Sequence, residues 1–132
     1  MAENYSMFTN MPWENISSLY SPVHRKLQEE FSTTKLADLL DNGWIHEEIS
    51  EDEKTFIASR DMFFLSTVDP NGMPKVSYKW GTTGFVKVTD KSTLIFPGYD
   101  GSGMLYSIGN IWSQGKVGML FIDFETPQRV RI

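Results

Sequence analysis

The sequence predicts a mainly β domain with helices in front of it, built from six short, mostly antiparallel strands. Three observations lead there. From Phe63 to Ile132, aromatic and β-branched residues fall in short runs of strand length rather than helix length. Turn chemistry separates the runs, at Asp69-Pro70-Asn71-Gly72, Gly81 to Gly84, Thr89 to Ser92, Pro97-Gly98 and Thr126-Pro127. Helical spacing is confined to the N-terminal part and to one stretch after Gly103. Six short twisted strands joined in this way close most easily as a small barrel.

Residues 1–20 are polar with scattered aromatics, Tyr5, Phe8, Trp13 and Tyr20, and read as a docking arm. Trp13 fits an anchor on a partner subunit and a loop packed on its own domain equally well. Ser21 as N-cap and Pro22 at the first helical position open a helix to about Phe31, with Val23, Leu27 and Phe31 on one face. A second helix, Lys35 to Leu40, carries Leu36, Leu39 and Leu40 on one side and stops at Asp41-Asn42-Gly43. Ser50 and Glu53 form the capping-box pattern of a third helix, whose apolar residues are Phe56 and Ile57. Residues 1–55 are thus expected to pack as arm and helices on a barrel domain of residues 56–132.

The first strand is Phe63 to Val68. The second, Lys75 to Trp80, alternates, with Val76, Tyr78 and Trp80 on one face and Lys75, Ser77 and Lys79 on the other. Phe85 to Val88 and Thr93 to Phe96 follow. A helix comes next, with Met104, Leu105, Ile108, Ile111 and Trp112 at helical spacing, Asp100 or Ser102 as its cap and Gly115 as its end. Lys116 to Phe124 is nearly all apolar and reads as a central strand buried on both faces. In the last strand, Gln128 to Ile132, Val130 and Ile132 alternate with Arg129 and Arg131. The chain stops inside that strand, which implies either a truncated reading frame or a strand clamped by a second subunit.

Composition excludes several classes of function. The chain has 132 residues, a net charge of −5 and no cysteine, so disulfides, thiolate catalysis and Cys-ligated metals are ruled out. Residues 1–54 hold 11 acidic and 4 basic side chains, a balance of −7, while residues 55–132 hold 6 and 8, a balance of +2. An acidic whole argues against general nucleic-acid binding, and a mildly basic second part suits a small phosphorylated ligand. The start of the chain lacks the pattern of a signal peptide and no apolar run is long enough to span a bilayer, so a cytoplasmic location is expected. His24 and His46 lack ligand spacing, and no metal site is expected. Gly101-Ser102-Gly103 is neither a nucleophile elbow nor a nucleotide-phosphate loop, and no carboxylate pair stands out as an acid/base dyad.

Two features carry possible chemistry: the row Lys75, Ser77, Lys79, and the loop from Gly98 to Gly103 that leads into a helix. A strand cation beside backbone N–H groups at a helix start is a workable phosphate site. Taken alone, the pattern fits solvent-facing lysines and a plain turn better.

A resemblance shifts that balance. The segments Arg60-Asp61-Met62-Phe63-Phe64-Leu65-Ser66-Thr67-Val68, Asp69 with Gly72 and Pro74, and Val76-Ser77-Tyr78-Lys79 stand in the order of one family. Gly84-Phe85-Val86, Asp100-Gly101-Ser102-Gly103, Ser107-Ile108-Gly109-Asn110 and the run from Val117 to Phe124 continue it. Together they resemble the pyridoxamine 5'-phosphate oxidase-like, FMN-binding split barrels. The resemblance implies a six-stranded split β-barrel, a homodimer, and FMN in a cleft between the subunits. It implies a cofactor site drawn from Ser77, Tyr78, Lys79, Trp80, Phe96, Pro97, Gly98, Gly101, Ser102, Asn110 and Arg129. The phosphate would lie near Ser77, Lys79 and the Ser102 loop, and the isoalloxazine along Phe96, Pro97 and Gly98. Arg129 falls where the family has a polar residue near the flavin. The Arg-Lys pair that grips phosphate in the true oxidases has no counterpart at Ser102-Gly103, so vitamin B6 oxidation is not assigned. The expectation is an FMN-dependent oxidoreductase with no assigned substrate. The alternatives are a flavin- or haem-binding module without turnover, and a cofactor-free dimeric interaction protein.

Overall fold

The computed structural model describes residues 19–98 and 103–132. The arm through Ser18, with Tyr5, Phe8 and Trp13, lies outside the described residues, as do Tyr99 to Ser102. The chain divides into two compact units, one ending at His46 and one running from Glu47 to Ile132.

The first unit is a pair of helices, α1 (Pro22–Glu30) and α2 (Thr34–Gly43). Pro22 sits where its missing N–H costs nothing, and the Ser21 N–H donates to His24 Nδ1 at 3.1 Å. Arg25 joins the helices. It donates to Gln28 and to the Asp38 carboxylate on α2, and it lies over the Tyr20 ring. Contrary to expectation, α2 does not stop at Leu40. Asp41, Asn42 and Gly43 stay helical, and the Asn42 amide donates to the Asp38 carbonyl one turn back (2.8 Å), so the stop signal becomes part of the last turn. The expected apolar stripes face solvent: Leu27, Phe31, Leu36 and Leu39 are exposed, and Ala37 is the buried residue of α2.

The second unit begins with α3 (Glu51–Ala58), and its capping box forms as the sequence implies. The Glu53 N–H donates to Ser50 Oγ (3.2 Å) and the Ser50 N–H returns a bond to the Glu53 carboxylate (2.8 Å). Ile57 delivers the helix to the core. The strands are β1 (Met62–Val68), β2 (Pro74–Trp80), β3 (Lys87–Asp90), β4 (Thr93–Ile95), β5 (Val117–Ile122) and β6 (Arg129–Arg131), with α4 (Tyr106–Gln114) between β4 and β5. All the strand pairs are antiparallel. They form a four-stranded sheet of order β2-β1-β5-β6 and a separate β3-β4 hairpin, so among the described residues no ladder closes a barrel. The third strand starts two residues later than expected, because Phe85 and Val86 leave the ladder and turn into the core.

The β1–β2 turn shows why these residues fold as they do. Asp69 Oδ1 accepts from the N–H of Asn71 (2.9 Å) and of Met73 (3.0 Å). Gly72 takes φ +79°, which an L side chain rarely adopts. At Gly84, φ is +77° and a Cβ would stand 2.9 Å from the Ala58 carbonyl oxygen, so glycine is required there.

The core lies on one face of the four-stranded sheet. Ile57, Phe63, Leu65, Phe85, Val86, Met119 and Phe121 form it. Phe63 is its centre, with the rings of Phe85, Phe96 and Phe121 at centroid distances of 5.9, 5.1 and 5.1 Å. Along β1, Phe63, Leu65 and Thr67 are buried while Met62, Phe64, Ser66 and Val68 are half-exposed. β5 is central, as expected, yet it buries only Met119 and Phe121, and Gly118, Leu120 and Ile122 on its other face are half-exposed. β6 points Val130 at the core and Arg129 and Arg131 outward.

Candidate functional site

The register of β1 with β2 decides which way each residue of the second strand points. Phe63 pairs with Lys79, Leu65 with Ser77 and Thr67 with Lys75. Antiparallel partners share a face. The polar row of β2 therefore lies on the core side of the sheet, and its apolar row lies on the outer side. Val76, Tyr78 and Trp80 are 75%, 60% and 67% exposed, whereas Ser77 and Lys79 are half-buried.

The polar row is covered by α4. Ser107 Oγ lies 3.3 Å from Ser77 Oγ, and Lys79 Nζ donates to the same Ser107 oxygen at 3.3 Å. One turn further along the helix, the Asn110 amide donates to Thr67 Oγ1 at 3.2 Å, with both residues buried. Helix and sheet thus meet along a polar seam. Ser107 and Asn110, at i and i+3, present one face of α4 to the row Thr67, Ser77 and Lys79.

Lys79 differs from the other cations with assigned partners. Arg25 pairs with Asp38, Arg60 with Asp123, Lys75 with Asp69 and Lys91 with Glu48. Lys79 has hydroxyl oxygen around it, and among the described residues no carboxylate pairs with it. A half-buried ammonium is stabilised by an anion or by several good acceptors; here the arrangement of one ammonium and two hydroxyls is a donor set for an anion. Lys75 is a different case: its side chain is 42% exposed and its Nζ stands 3.8 Å from Asp69 Oδ2.

The same helix reaches the segment Phe96-Pro97-Gly98. A Cβ placed on Gly98 would stand 2.9 Å from Ile108 Cδ1, so the Gly98 backbone rests against the residue next to Ser107. Phe96 is half-buried and meets Phe63 edge-on. α4 accordingly reaches both predicted groups, Ser77 with Lys79 through Ser107, and Gly98 through Ile108. Gly101 and Ser102 lie outside the described residues. The structure does not bring Tyr78, Trp80 and Arg129 to this seam. They lie on the outer face, Tyr78 and Trp80 on β2 and Arg129 opposite Ile122 on β6. Asn110 is on the seam, but its amide is committed to Thr67.

The start of α4 is later than the spacing implies. Met104 and Leu105 precede the helix, and Leu105, its N-cap, takes a left-handed φ of +50° with no side-chain cap. Gly115 ends it at φ +62°, as expected. Trp112 is 90% exposed, and it is Ile111 that packs on the core.

Ser107 and Thr67 were not singled out as site residues by sequence reasoning. The available signal was the i, i+3 pair of polar residues, Ser107 and Asn110, inside an otherwise apolar helix. Two carboxyls of this unit have their pKa held below the ordinary 3.8. For Asp90 the first cause is the Ser92 backbone N–H; for Asp123 it is that of Glu125, opposed by burial and assisted by Thr126 and the Arg60 guanidinium. Among the described residues no cluster of three His, Asp or Glu is placed to hold a metal ion, and no helix is long and apolar enough to cross a membrane.

Helices precede an antiparallel sheet in this chain, and the unit from Glu47 to Ile132 carries the polar seam. The sequence profile described as pyridoxamine 5'-phosphate oxidase matches residues 49–132, more than half of the chain, and the protein belongs to that family. Among curated proteins there is no match. Among solved structures, a histidine-to-alanine variant of HupZ from Group A Streptococcus is similar, with 25% identity, a TM-score of 0.46, and coverage of 63% of this chain and 64% of that one. The chain therefore spans less than two thirds of that structure's length.

Proposed function

We propose that this protein is an FMN-binding flavoprotein, an oxidoreductase related to pyridoxamine 5'-phosphate oxidase, and that it works as a cytoplasmic homodimer of split barrels with the cofactor between the subunits. The observation that carries the reading is Lys79: a half-buried ammonium with no carboxylate partner among the described residues, beside the hydroxyls of Ser77 and Ser107. That set fits a phosphate dianion. Family membership supports flavin as the group attached to it. Bound FMN would supply the redox chemistry. Ser77 and Lys79 would hold its phosphate, and Phe96, Pro97 and Gly98, of which Gly98 rests against the same helix, would flank the ring system. The Ser102 loop belongs to the same proposal. The outer sheet face, with Val76, Tyr78 and Trp80 exposed, is the surface that a second copy would cover, and Arg129 lies on that face.

The test is the absorption spectrum of the protein as purified, followed by mass analysis of the released ligand and by sedimentation. A flavin spectrum, a mass equal to FMN and a dimer are expected. Reduction by a nicotinamide followed by reoxidation separates an enzyme from a flavin carrier. A haem spectrum, or a colourless protein that binds no added FMN, would overturn the reading, and a clean monomer would remove the intersubunit cleft.

A further inference from the structure

We propose that Ser107 is a third anion-binding residue of the Ser77–Lys79 site, so that a phosphomonoester is gripped by the helix and the strand together. The proposal rests on the reading of this seam as a phosphate site. Ser107 Oγ stands 3.3 Å from Ser77 Oγ and 3.3 Å from Lys79 Nζ, at the point where both strand groups converge. Its oxygen accepts the Lys79 ammonium. The Ser107 hydroxyl also carries one rotatable O–H, which lies within reach of Ser77 Oγ and can turn to a further acceptor. A phosphomonoester presents three terminal oxygens, and Ser77, Lys79 and Ser107 bring two hydroxyls and one ammonium to one spot. The position of Ser107 is fixed one turn along by the buried bond from Asn110 to Thr67, which anchors α4 to β1. Thr67 and Asn110 are thus positioning residues, and Ser107 is the one that touches the anion. Among the described residues no carboxylate pairs with Lys79, and the Ser107 oxygen is the acceptor that holds its ammonium inside the seam. The ammonium is therefore already in place when the anion arrives, and the ligand loses less to ordering it.

The experiment is a fluorescence titration of FMN and of riboflavin, which lacks the phosphate, against the parent, Ser107→Ala and Ser107→Thr. Alanine is the better helix former, so α4 is not weakened by the change, and circular dichroism checks that the variants are folded. Ser107→Ala is expected to lose about tenfold in FMN affinity, the worth of one hydrogen bond to a charged group. Riboflavin should bind it as it binds the parent, and Ser107→Thr, which keeps the hydroxyl, should recover FMN. If the parent prefers FMN and Lys79→Ala loses that preference while Ser107→Ala keeps it, the role of Ser107 is overturned and the phosphate site stands. A parent that binds both flavins alike, or neither, overturns both.

Discussion

Replacing Lys79 by alanine tests the site at its strongest point. Lys79 is half-buried, its Nζ donates to Ser107 Oγ at 3.3 Å, and among the described residues it has no carboxylate to neutralise it. A hydrogen bond to a charged group contributes roughly 1.5–3 kcal/mol, which corresponds to about a tenfold to a hundredfold change in Kd. Lys75 is the internal control. It lies on the same strand face, but it is more exposed and already faces Asp69 at 3.8 Å. An exposed lysine of that kind contributes about 0–1 kcal/mol through a surface ion pair, so Lys75→Ala should change FMN affinity by less than about fivefold. Long-range attraction alone would not separate the two lysines strongly, and it would fade with salt over a Debye length of about 8 Å at physiological ionic strength. The assay is FMN and riboflavin titration of both variants at low and at physiological salt. Lys79→Ala should lose FMN and keep riboflavin at both salt concentrations. Binding of FMN by Lys79→Ala within about twofold of the parent would refute the placement, as would a larger loss in Lys75→Ala.

Other consequences concern stability. Phe63 is fully buried among three aromatic rings, so Phe63→Ala should cost about 3–5 kcal/mol in urea unfolding, a large part of the stability of a small domain. Asn110→Ala deletes the donor to Thr67 Oγ1 and leaves a buried hydroxyl without it, a loss of about 1–3 kcal/mol, whereas the same change at the exposed Gln114 should leave the urea midpoint near that of the parent. Asp123 has its pKa lowered first by the Glu125 N–H, so its contribution is full above the ordinary value of 3.8 and is lost as pH falls through the lower folded value. The parent should therefore exceed Asp123→Asn in urea midpoint near neutrality, and the gap should close in acid; a gap that widens in acid would contradict this.

Much of the fold was legible because it rests on local chemistry. The capping box at Ser50, the Asp69-to-Gly72 turn and the Gly115 stop each need only neighbouring residues, and each forms where the sequence puts it. Errors arose where a local signal competed with continuing structure. Asp41-Asn42-Gly43 reads as a helix stop, but the Asn42 amide finds the Asp38 carbonyl one turn back and the helix runs on through Gly43. Met104 and Leu105 have helical spacing, but the left-handed backbone of Leu105 starts α4 after them. Closure of the sheet is not a local property at all. Strand count and turns argue for a barrel, while the ladders form a four-stranded sheet and a hairpin.

β2 shows most clearly where legibility ends. Its alternation fixes two faces, Lys75, Ser77 and Lys79 against Val76, Tyr78 and Trp80, and by hydrophobicity alone the aromatic face should turn inward. It turns outward instead. The reason lies in another strand: the turn sets the register, the register pairs Phe63 with Lys79 and Leu65 with Ser77, and Phe63 and Leu65 are the buried members of β1. A shift of one residue would move the aromatics into the core and the lysines into water. The observed register leaves three large apolar side chains exposed and draws one ammonium beneath a helix. Neither arrangement favours the stability of an isolated chain. Both become favourable if the outer face meets a second copy and the ammonium meets an anion. These two departures from ordinary burial are the observations on which the proposed second copy and the proposed anion rest.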